Sequence, residues 1–149
     1  MLNAETSAGF VVFRMEGKAR KYLLLHYTIG HWDYVKGHIE GEETEIQAAL
    51  REAKEEANLT DLNILDGFRE KITYHYKRAG KFMTKDVIFY VAETNHAEIK
   101  LSHEHSGFKW LEFDAALKQI TYDSSKEILK KVDMFLDDYG KQKTLSSFG

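Results

Sequence analysis

Two capped amphipathic helices interrupt a series of β-rich runs, and this order of elements constrains the fold more than any other feature of the sequence. Runs rich in β-branched and aromatic residues predict a hairpin over residues 7–27, strands over residues 62–76 and 82–94, and a short strand over residues 108–113. The helices are predicted at residues 44–57 and 124–139. The order β-β-α-β-β-β-α predicts an α/β (α+β) architecture, in which helices pack on a mixed β-sheet.

The first helix has a clear start, end and apolar stripe. Thr44 and Gln47 have the spacing of a capping box, which predicts the start. Asn58 follows the helix, and asparagine is the second choice after glycine for the left-handed residue that ends a helix. The stripe that we expect to face the core consists of Ile46, Leu50, Ala53 and Ala57.

The second helix determines where the domain is expected to end. Ser124 and Glu127 have the spacing of another capping box, and Gly140 is the expected stop. The polar residues after it have no helical period, so we expect a flexible C-terminal tail over residues 141–149. A single domain over residues 1–140 is long enough to bury one hydrophobic core.

Composition excludes several classes of protein. The chain contains no cysteine, which excludes disulfides, thiolate zinc sites and a cysteine nucleophile. The net charge of −3 disfavours general binding to DNA. The apolar runs are too short to span a membrane, and the first residues do not resemble a secretory signal. We therefore expect a cytoplasmic protein without a membrane partner.

Three acidic residues on the first helix are the most informative feature for function. Glu52, Glu55 and Glu56 have i, i+3, i+4 spacing, so they project from one side of the helix. Like charges at this spacing destabilise a helix, and a divalent cation such as Mg²⁺ would relieve the repulsion. On these residues alone, a solvated face with salt bridges is the alternative.

The acids belong to a longer pattern, which consists of Gly37, Glu43, Arg51, Glu52, Ala53, Glu55, Glu56 and Leu59. This pattern resembles the Nudix box, which is the signature of the Nudix hydrolases. One position departs from the pattern, because Asn58 stands where the box has glycine. Asparagine tolerates the same left-handed backbone, so we expect little damage.

The resemblance implies a Nudix fold, a mixed β-sheet sandwiched between helices, and hydrolysis of a nucleoside diphosphate derivative with Mg²⁺ or Mn²⁺ as cofactor. By position in the box, Glu52, Glu55 and Glu56 would bind the metal. Glu52 and Glu56 are the expected catalytic residues, with Glu52 either a metal ligand or the base that activates water. Gly37, Glu43 and Arg51 are expected to brace the loop against the helix.

A finer resemblance covers nearly the whole chain and points to the asymmetric diadenosine tetraphosphate hydrolases, or bis(5′-nucleosyl)-tetraphosphatases. It is carried by residues 31–40, by the box itself and by the run 101–105 with Trp110 and Leu111. It implies cleavage of diadenosine tetraphosphate to ATP and AMP, with Glu104 as a further metal ligand. The implied substrate-binding residues are His31, Lys36, His38, Tyr74, Lys81, Lys85 and Tyr122. The chain lacks the prolines that this family has in the loop, which puts the ranking of substrates in question.

Two other functions fit the same residues. Basic residues at 77, 78, 81 and 85 permit an enzyme that acts on RNA 5′ ends or on other nucleoside diphosphate derivatives. A non-catalytic nucleotide sensor is the second alternative, although such a protein would be free to lose the box glutamates. A dinucleoside polyphosphate or another nucleotide is therefore the expected partner.

Overall fold

The structure is a computed structural model that describes the backbone of residues 3–148 and the side chains of residues 5–141. Its strands are β1 Asn3–Glu16, β2 Ala19–Tyr27, β3 Trp32–Asp33, β4 Val35–His38, β5 Asn63–Ile64, β6 Glu70–Arg78, β7 Lys81–Glu93 and β8 His105–Leu111. Its helices are α1 Glu45–Ala57, α2 Phe113–Gln119 and α3 Asp123–Phe148.

The strands form one mixed sheet that is organised around β1. The long central pair, β1 and β7, is parallel, and the other pairings are antiparallel. On the side of β1 away from β7, the first half of β1 pairs with β4 and the second half pairs with β2. As a result, β4 lies beside the start of β1.

Helices cover both faces of the sheet, which confirms the predicted sandwich. One core cluster joins even-numbered positions of β1, such as Phe10 and Val12, to the alanines of α1. The other cluster joins Val11 and Phe13 to apolar residues of α2 and α3. Because side chains alternate along a strand, β1 contributes to both cores.

Helix α1 has the predicted ends but is rotated relative to the predicted stripe. The capping box of Thr44 and Gln47 is present, and Asn58 is left-handed with φ 56°. The predicted core position of Leu50 is wrong, because this side chain is 39% exposed. The face that packs on the sheet is instead formed by Ala48, Ala49, Ala53 and Ala57. These small side chains let α1 approach the sheet closely, which a leucine would prevent.

Helix α3 is longer than predicted. It begins at Asp123 and continues to Phe148, so the predicted stop at Gly140 is wrong. The predicted capping role of Ser124 is also wrong, because this residue lies inside the helix and its hydroxyl donates to the Tyr74 hydroxyl at 3.2 Å. The division into a domain over 1–140 and a tail over 141–149 stays a prediction.

Two further elements differ from the sequence prediction. Residues 62–76 do not form one strand, because the chain turns at Gly67, with φ 103°, between β5 and β6. Helix α2 was not predicted, since it has seven residues and its N-cap makes no side-chain hydrogen bond. A helix this short leaves little periodic signal.

The N-terminus of α1 is tied to the sheet by Glu45. Its carboxylate accepts hydrogen bonds from Arg69 Nε at 2.9 Å, Arg69 Nη2 at 2.8 Å and the Tyr90 hydroxyl at 2.6 Å. These bonds, those from Arg69 first, lower the pKa of Glu45 from 4.5 to about 2. The ionised carboxylate therefore contributes to stability at neutral pH.

We predict that Glu45→Gln lowers the free energy of unfolding by about 1 kcal/mol at pH 7, because the partly exposed site is screened by solvent. A lowered pKa stabilises the fold above the unfolded pKa, and the contribution is lost as pH falls from 4.5 toward 2. Urea unfolding across that range should show the wild type and variant converging. A difference that does not vary with pH, or an equal loss in the exposed control Glu42→Gln, would contradict this account.

Candidate active site

A cleft of about 680 Å³ lies between the C-terminal half of α1, strand β4 and the loop before β8. Of the residues predicted to act in the site, the following line it: His31, Lys36, Gly37, His38, Arg51, Glu52, Glu55, Glu56, Lys85 and Glu104. Residues far apart in the sequence are therefore brought to one place by the packing of α1 against β1 and β4.

Glu56 is the most deeply buried acid of the cleft, at 5% exposure. Its carboxylate accepts a hydrogen bond from the Lys36 backbone N–H at 3.3 Å. Burial, and then the charge of Glu52, raises the pKa of Glu56 from 4.5 to about 8. A carboxyl group in this environment is stabilised as an anion only when a cation comes close.

Glu52 lies against the backbone of β4 at Gly37, where the missing side chain leaves room for its carboxyl group. A Cβ atom on Gly37 would overlap the Glu52 carboxyl group. Strand β4 cannot move aside easily, since Gly37 is held in the ladder opposite Ala8 of β1. Burial raises the pKa of Glu52. The glycine of the box thus makes room for the acid of the helix.

Arg51 connects the acids of the cleft to the loop before α1. Its guanidinium donates to Glu43 at 2.8 and 3.0 Å, to Glu52 at 2.8 Å and to the His38 carbonyl at 2.8 Å. A longer contact of 3.3 Å reaches Glu55. These hydrogen bonds raise the pKa of Arg51 and lower that of Glu43. The geometry is that of a brace between loop and helix.

Glu104 approaches the helix acids from a separate loop. The amides of Lys100 and Ser102 donate to the carbonyls of Ala57 and Glu56 at the end of α1, at 3.3 and 3.1 Å. The Glu104 carbonyl accepts from the Thr28 amide at 3.0 Å. Glu104 lines the same cleft as Glu56, and its charge contributes to the raised pKa of Glu56.

Cationic and imidazole groups also line the cleft. The Lys36 ammonium lies 3.1 Å from the buried Asp33 carboxylate and 4.9 Å from the centre of the Tyr27 ring. Burial, and then the charge of Lys36, lowers the pKa values of Lys85 and His31. One cleft therefore combines positive groups with carboxylates, a combination that suits a polyphosphate bound with a cation.

Three predicted substrate contacts lie outside the cleft lining. Tyr122 is 45% exposed, and its ring centre is 5.4 Å from that of His31 at the cleft edge. Tyr74 packs against the core cluster on the α3 side. Lys81 is exposed at the β6–β7 turn. The structure does not bring Tyr74 and Lys81 together with the helix acids.

Several cleft residues were missed by sequence reasoning. Tyr27 packs between strands, where its ring lies 4.4 Å from both His31 and His105. Ser7 also lines the cleft, and Asp33, although outside the lining, is buried beside Lys36. An acid three residues before a predicted phosphate-binding lysine was the one available signal. Tyrosine and serine in β-rich runs carry no such signal.

The donor set of the cleft fits a hard divalent cation, although the carboxylates are not gathered around one point. Among residues 5–141, no group of three or more acidic or histidine side chains is arranged to hold a metal ion. The oxygens of Glu52, Glu55, Glu56 and Glu104 are nevertheless the ligand type that Mg²⁺ prefers. The raised pKa of Glu56 indicates a buried acid that lacks a sufficient counter-charge.

In the described part of the chain, no helix is long and apolar enough to cross a membrane.

The NUDIX domain family matches residues 4–132. The chain is 38% identical over 135 residues to the asymmetrical bis(5′-nucleosyl)-tetraphosphatase of Caenorhabditis elegans, covering 87% of this chain and 95% of that protein. It is 33% identical over 142 residues to the Sus scrofa protein of the same name, covering 87% and 94%. A crystal structure of a C. elegans Ap4A hydrolase binary complex matches with a TM-score of 0.82 and 36% identity, over 90% of this chain and 98% of that one.

The chain therefore belongs to the Nudix family. The identification from the sequence, as a Nudix hydrolase that resembles the asymmetric tetraphosphatases, is confirmed.

Proposed function

We propose that the protein hydrolyses the polyphosphate bridge of dinucleoside tetraphosphates, converting diadenosine tetraphosphate to ATP and AMP. The observation that carries the proposal is the cleft, which is lined both by the acids of α1 and Glu104 and by Lys36 and Lys85. The names of relatives that match along nearly their whole length support the substrate class. A cytoplasmic location stays a prediction.

The cofactor in this proposal is Mg²⁺, with Mn²⁺ as a substitute. Glu55, Glu56 and Glu104 would hold it, since hard cations prefer carboxylate oxygens. Of the two roles open to Glu52, this proposal assigns it that of the base. When bound, a divalent cation polarises phosphoryl oxygens and lowers the pKa of water. Release of Arg51 from Glu55, its longest hydrogen bond, would free that carboxylate without disturbing the bonds to Glu43.

The remaining roles belong to side chains of this chain. Glu52 accepts the proton of the attacking water, and its position is set by Arg51 and by the absence of a side chain on Gly37. Lys36, Lys85, His31 and His38 bind the bridge phosphates. Tyr122 stacks on an adenine at the cleft edge. Contacts of Tyr74 and Lys81 with the second nucleotide stay predictions.

The test is hydrolysis of diadenosine tetraphosphate with Mg²⁺, followed by addition of a chelator. Turnover that stops with the chelator and resumes with excess Mg²⁺ supports the proposal. Binding of the substrate without turnover, under conditions where the protein is folded, would favour the nucleotide sensor instead.

An RNA 5′ end is the second candidate substrate. Lys77, Arg78 and Lys81 lie at the exposed end of the β6–β7 hairpin, and Lys85 continues the same strand into the cleft. An RNA bound along this hairpin would lose affinity steeply between 50 and 200 mM salt, roughly by orders of magnitude when several phosphates are contacted. Preferential release of 5′-monophosphate RNA would replace the first proposal.

We predict that Tyr122→Ala raises KM for diadenosine tetraphosphate about tenfold and leaves kcat nearly unchanged, because stacking on a base contributes roughly 1–3 kcal/mol to binding. Steady-state kinetics of the variant would measure both constants. Phe108→Ala removes another partly exposed aromatic ring, away from the cleft lining, and serves as the control. A KM equal to that of the control would assign Tyr122 to packing against His31.

A further inference from the structure

The Ser7 hydroxyl is buried without a hydrogen-bond partner. The residue is 1% exposed, and among the described residues no donor or acceptor reaches its Oγ. A buried hydroxyl without a partner destabilises the fold relative to a paired one. Such a group in a native fold requires an explanation, and a bound ligand is one.

The position of Ser7 points to a ligand. Ser7 lies in β1 between β4 and β7, paired with His38 on one side and Val87 on the other. Lys36 pairs with Gly9 two residues farther on, and Lys85 pairs with Glu5 two residues before. Because side chains alternate along strands, Ser7 shares one face of the sheet with Lys36, His38 and Lys85. All four residues line the cleft.

The charges on this face are positive and incompletely balanced. Glu5, the acid nearest in the register, accepts hydrogen bonds from Tyr76 and Arg78 at 3.1 Å each. Among the described residues, no carboxylate lies within ion-pair distance of the Lys85 ammonium. Burial, and then the neighbouring Lys36, lowers the pKa of Lys85. An anion on this face would relieve the repulsion between the two lysines.

We propose that Ser7 donates a hydrogen bond to a phosphate oxygen of the bound nucleotide and that Lys85 neutralises the same phosphate. Ser7 is thus a substrate-binding residue on the floor of the cleft, and this inference rests on the proposed function. Lysine side chains rotate readily, so the ammonium groups of Lys36 and Lys85 can both turn toward one anion. That anion would then lie over β1, the strand between them, which carries Ser7.

A second buried serine separates this role from a packing role. Ser125 is 0% exposed, and its Oγ also lacks a partner among the described residues. It lies in α3, where its carbonyl accepts from the Tyr34 hydroxyl at 2.6 Å, and it does not line the cleft. Ser125→Ala is therefore a matched control for Ser7→Ala.

The experiment measures binding of inorganic tripolyphosphate with Mg²⁺ by calorimetry, together with steady-state kinetics on diadenosine tetraphosphate. Ser7→Ala should weaken tripolyphosphate about tenfold, the effect of a lost hydrogen bond to a charged group, and should raise KM by a similar factor with kcat little changed. Ser125→Ala should bind as the wild type does. In a Lys85→Met background, Ser7→Ala should cost less than about threefold, because both groups act on one phosphate.

Equal affinity of Ser7→Ala and wild type for tripolyphosphate would overturn the inference, as would an equal loss in Ser125→Ala. The outcome is separable from that of the proposed function. Tripolyphosphate binding that depends on Ser7, without hydrolysis of diadenosine tetraphosphate, would keep the phosphate contact and reject the proposed substrate. Hydrolysis of diadenosine tetraphosphate that does not depend on Ser7 would keep the proposed substrate and reject the phosphate contact.

Discussion

Glu56→Gln is expected to leave the protein folded and to lower turnover by about a hundredfold or more, as loss of an essential acid or base group does. Glu56 is buried at the meeting point of α1 and β4, with a pKa raised to about 8 by burial and by Glu52. Glutamine keeps the size of the side chain but cannot supply the negative charge that a divalent cation requires.

Thermal unfolding provides the second readout for this variant. Mg²⁺ should raise the melting temperature of the wild type, since a ligand that binds only the native state stabilises it. The same addition should leave Glu56→Gln unchanged. Without Mg²⁺, the variant should be at least as stable as the wild type at alkaline pH, because a group with a raised pKa costs stability as pH rises above its unfolded value of 4.5.

The control for Glu56→Gln is Glu127→Gln on the exposed side of α3. It removes one carboxylate without touching the cleft, so both turnover and the Mg²⁺-dependent shift should match the wild type. A folded Glu56→Gln variant with normal turnover would remove Glu56 from the metal site.

Gly37→Ala is the other substitution with a large expected effect. The added methyl group would overlap the Glu52 carboxyl group, and the ladder between β4 and β1 holds the strand in place. The carboxyl group must therefore move away. We expect kcat to fall about a hundredfold, as displacement of a catalytic group does, while circular dichroism stays that of a folded protein.

Gly107→Ala is the matched control, because its added Cβ would meet the nearest atom, His26 Cβ, at an ordinary distance of 3.9 Å. This strand variant should keep wild-type kinetics. If Gly37→Ala also kept them, Glu52 would not need its place against β4, and its assignment as the base would be wrong.

The grouping of the helix acids was predictable because their spacing is local. The rotation of α1 about its own axis, which determines which residues face the sheet, was not. The predicted stripe placed Leu50 in the core, whereas Leu50 is exposed and Glu56 is buried. The deciding quantity is the close approach of α1 to β1, which favours alanine over leucine. The distance between α1 and the sheet cannot be derived from apolar periodicity alone.

Local capping signals were reliable where the helix ended in a special backbone conformation, as at Asn58 with φ 56°. They failed at Gly140, where the glycine continues α3. A glycine is permitted in a helix at a cost of about 1 kcal/mol, so its presence does not by itself end one.

The floor of the cleft was the least predictable part. Ser7 and Tyr27 belong to β-rich segments whose sequence gives no indication of function. They reach the site because β1 pairs with β4 over one half and with β2 over the other. That register is a tertiary property, and a functional residue placed by it has no local signature.

The most direct test of the central claim is the identity of the products formed from diadenosine tetraphosphate and Mg²⁺, separated by chromatography. The proposed asymmetric cut predicts equal amounts of ATP and AMP, with neither formed when a chelator is present. Two molecules of ADP would mean that the bridge lies in a different register over the acids of α1. No product from the folded protein would contradict the proposed activity.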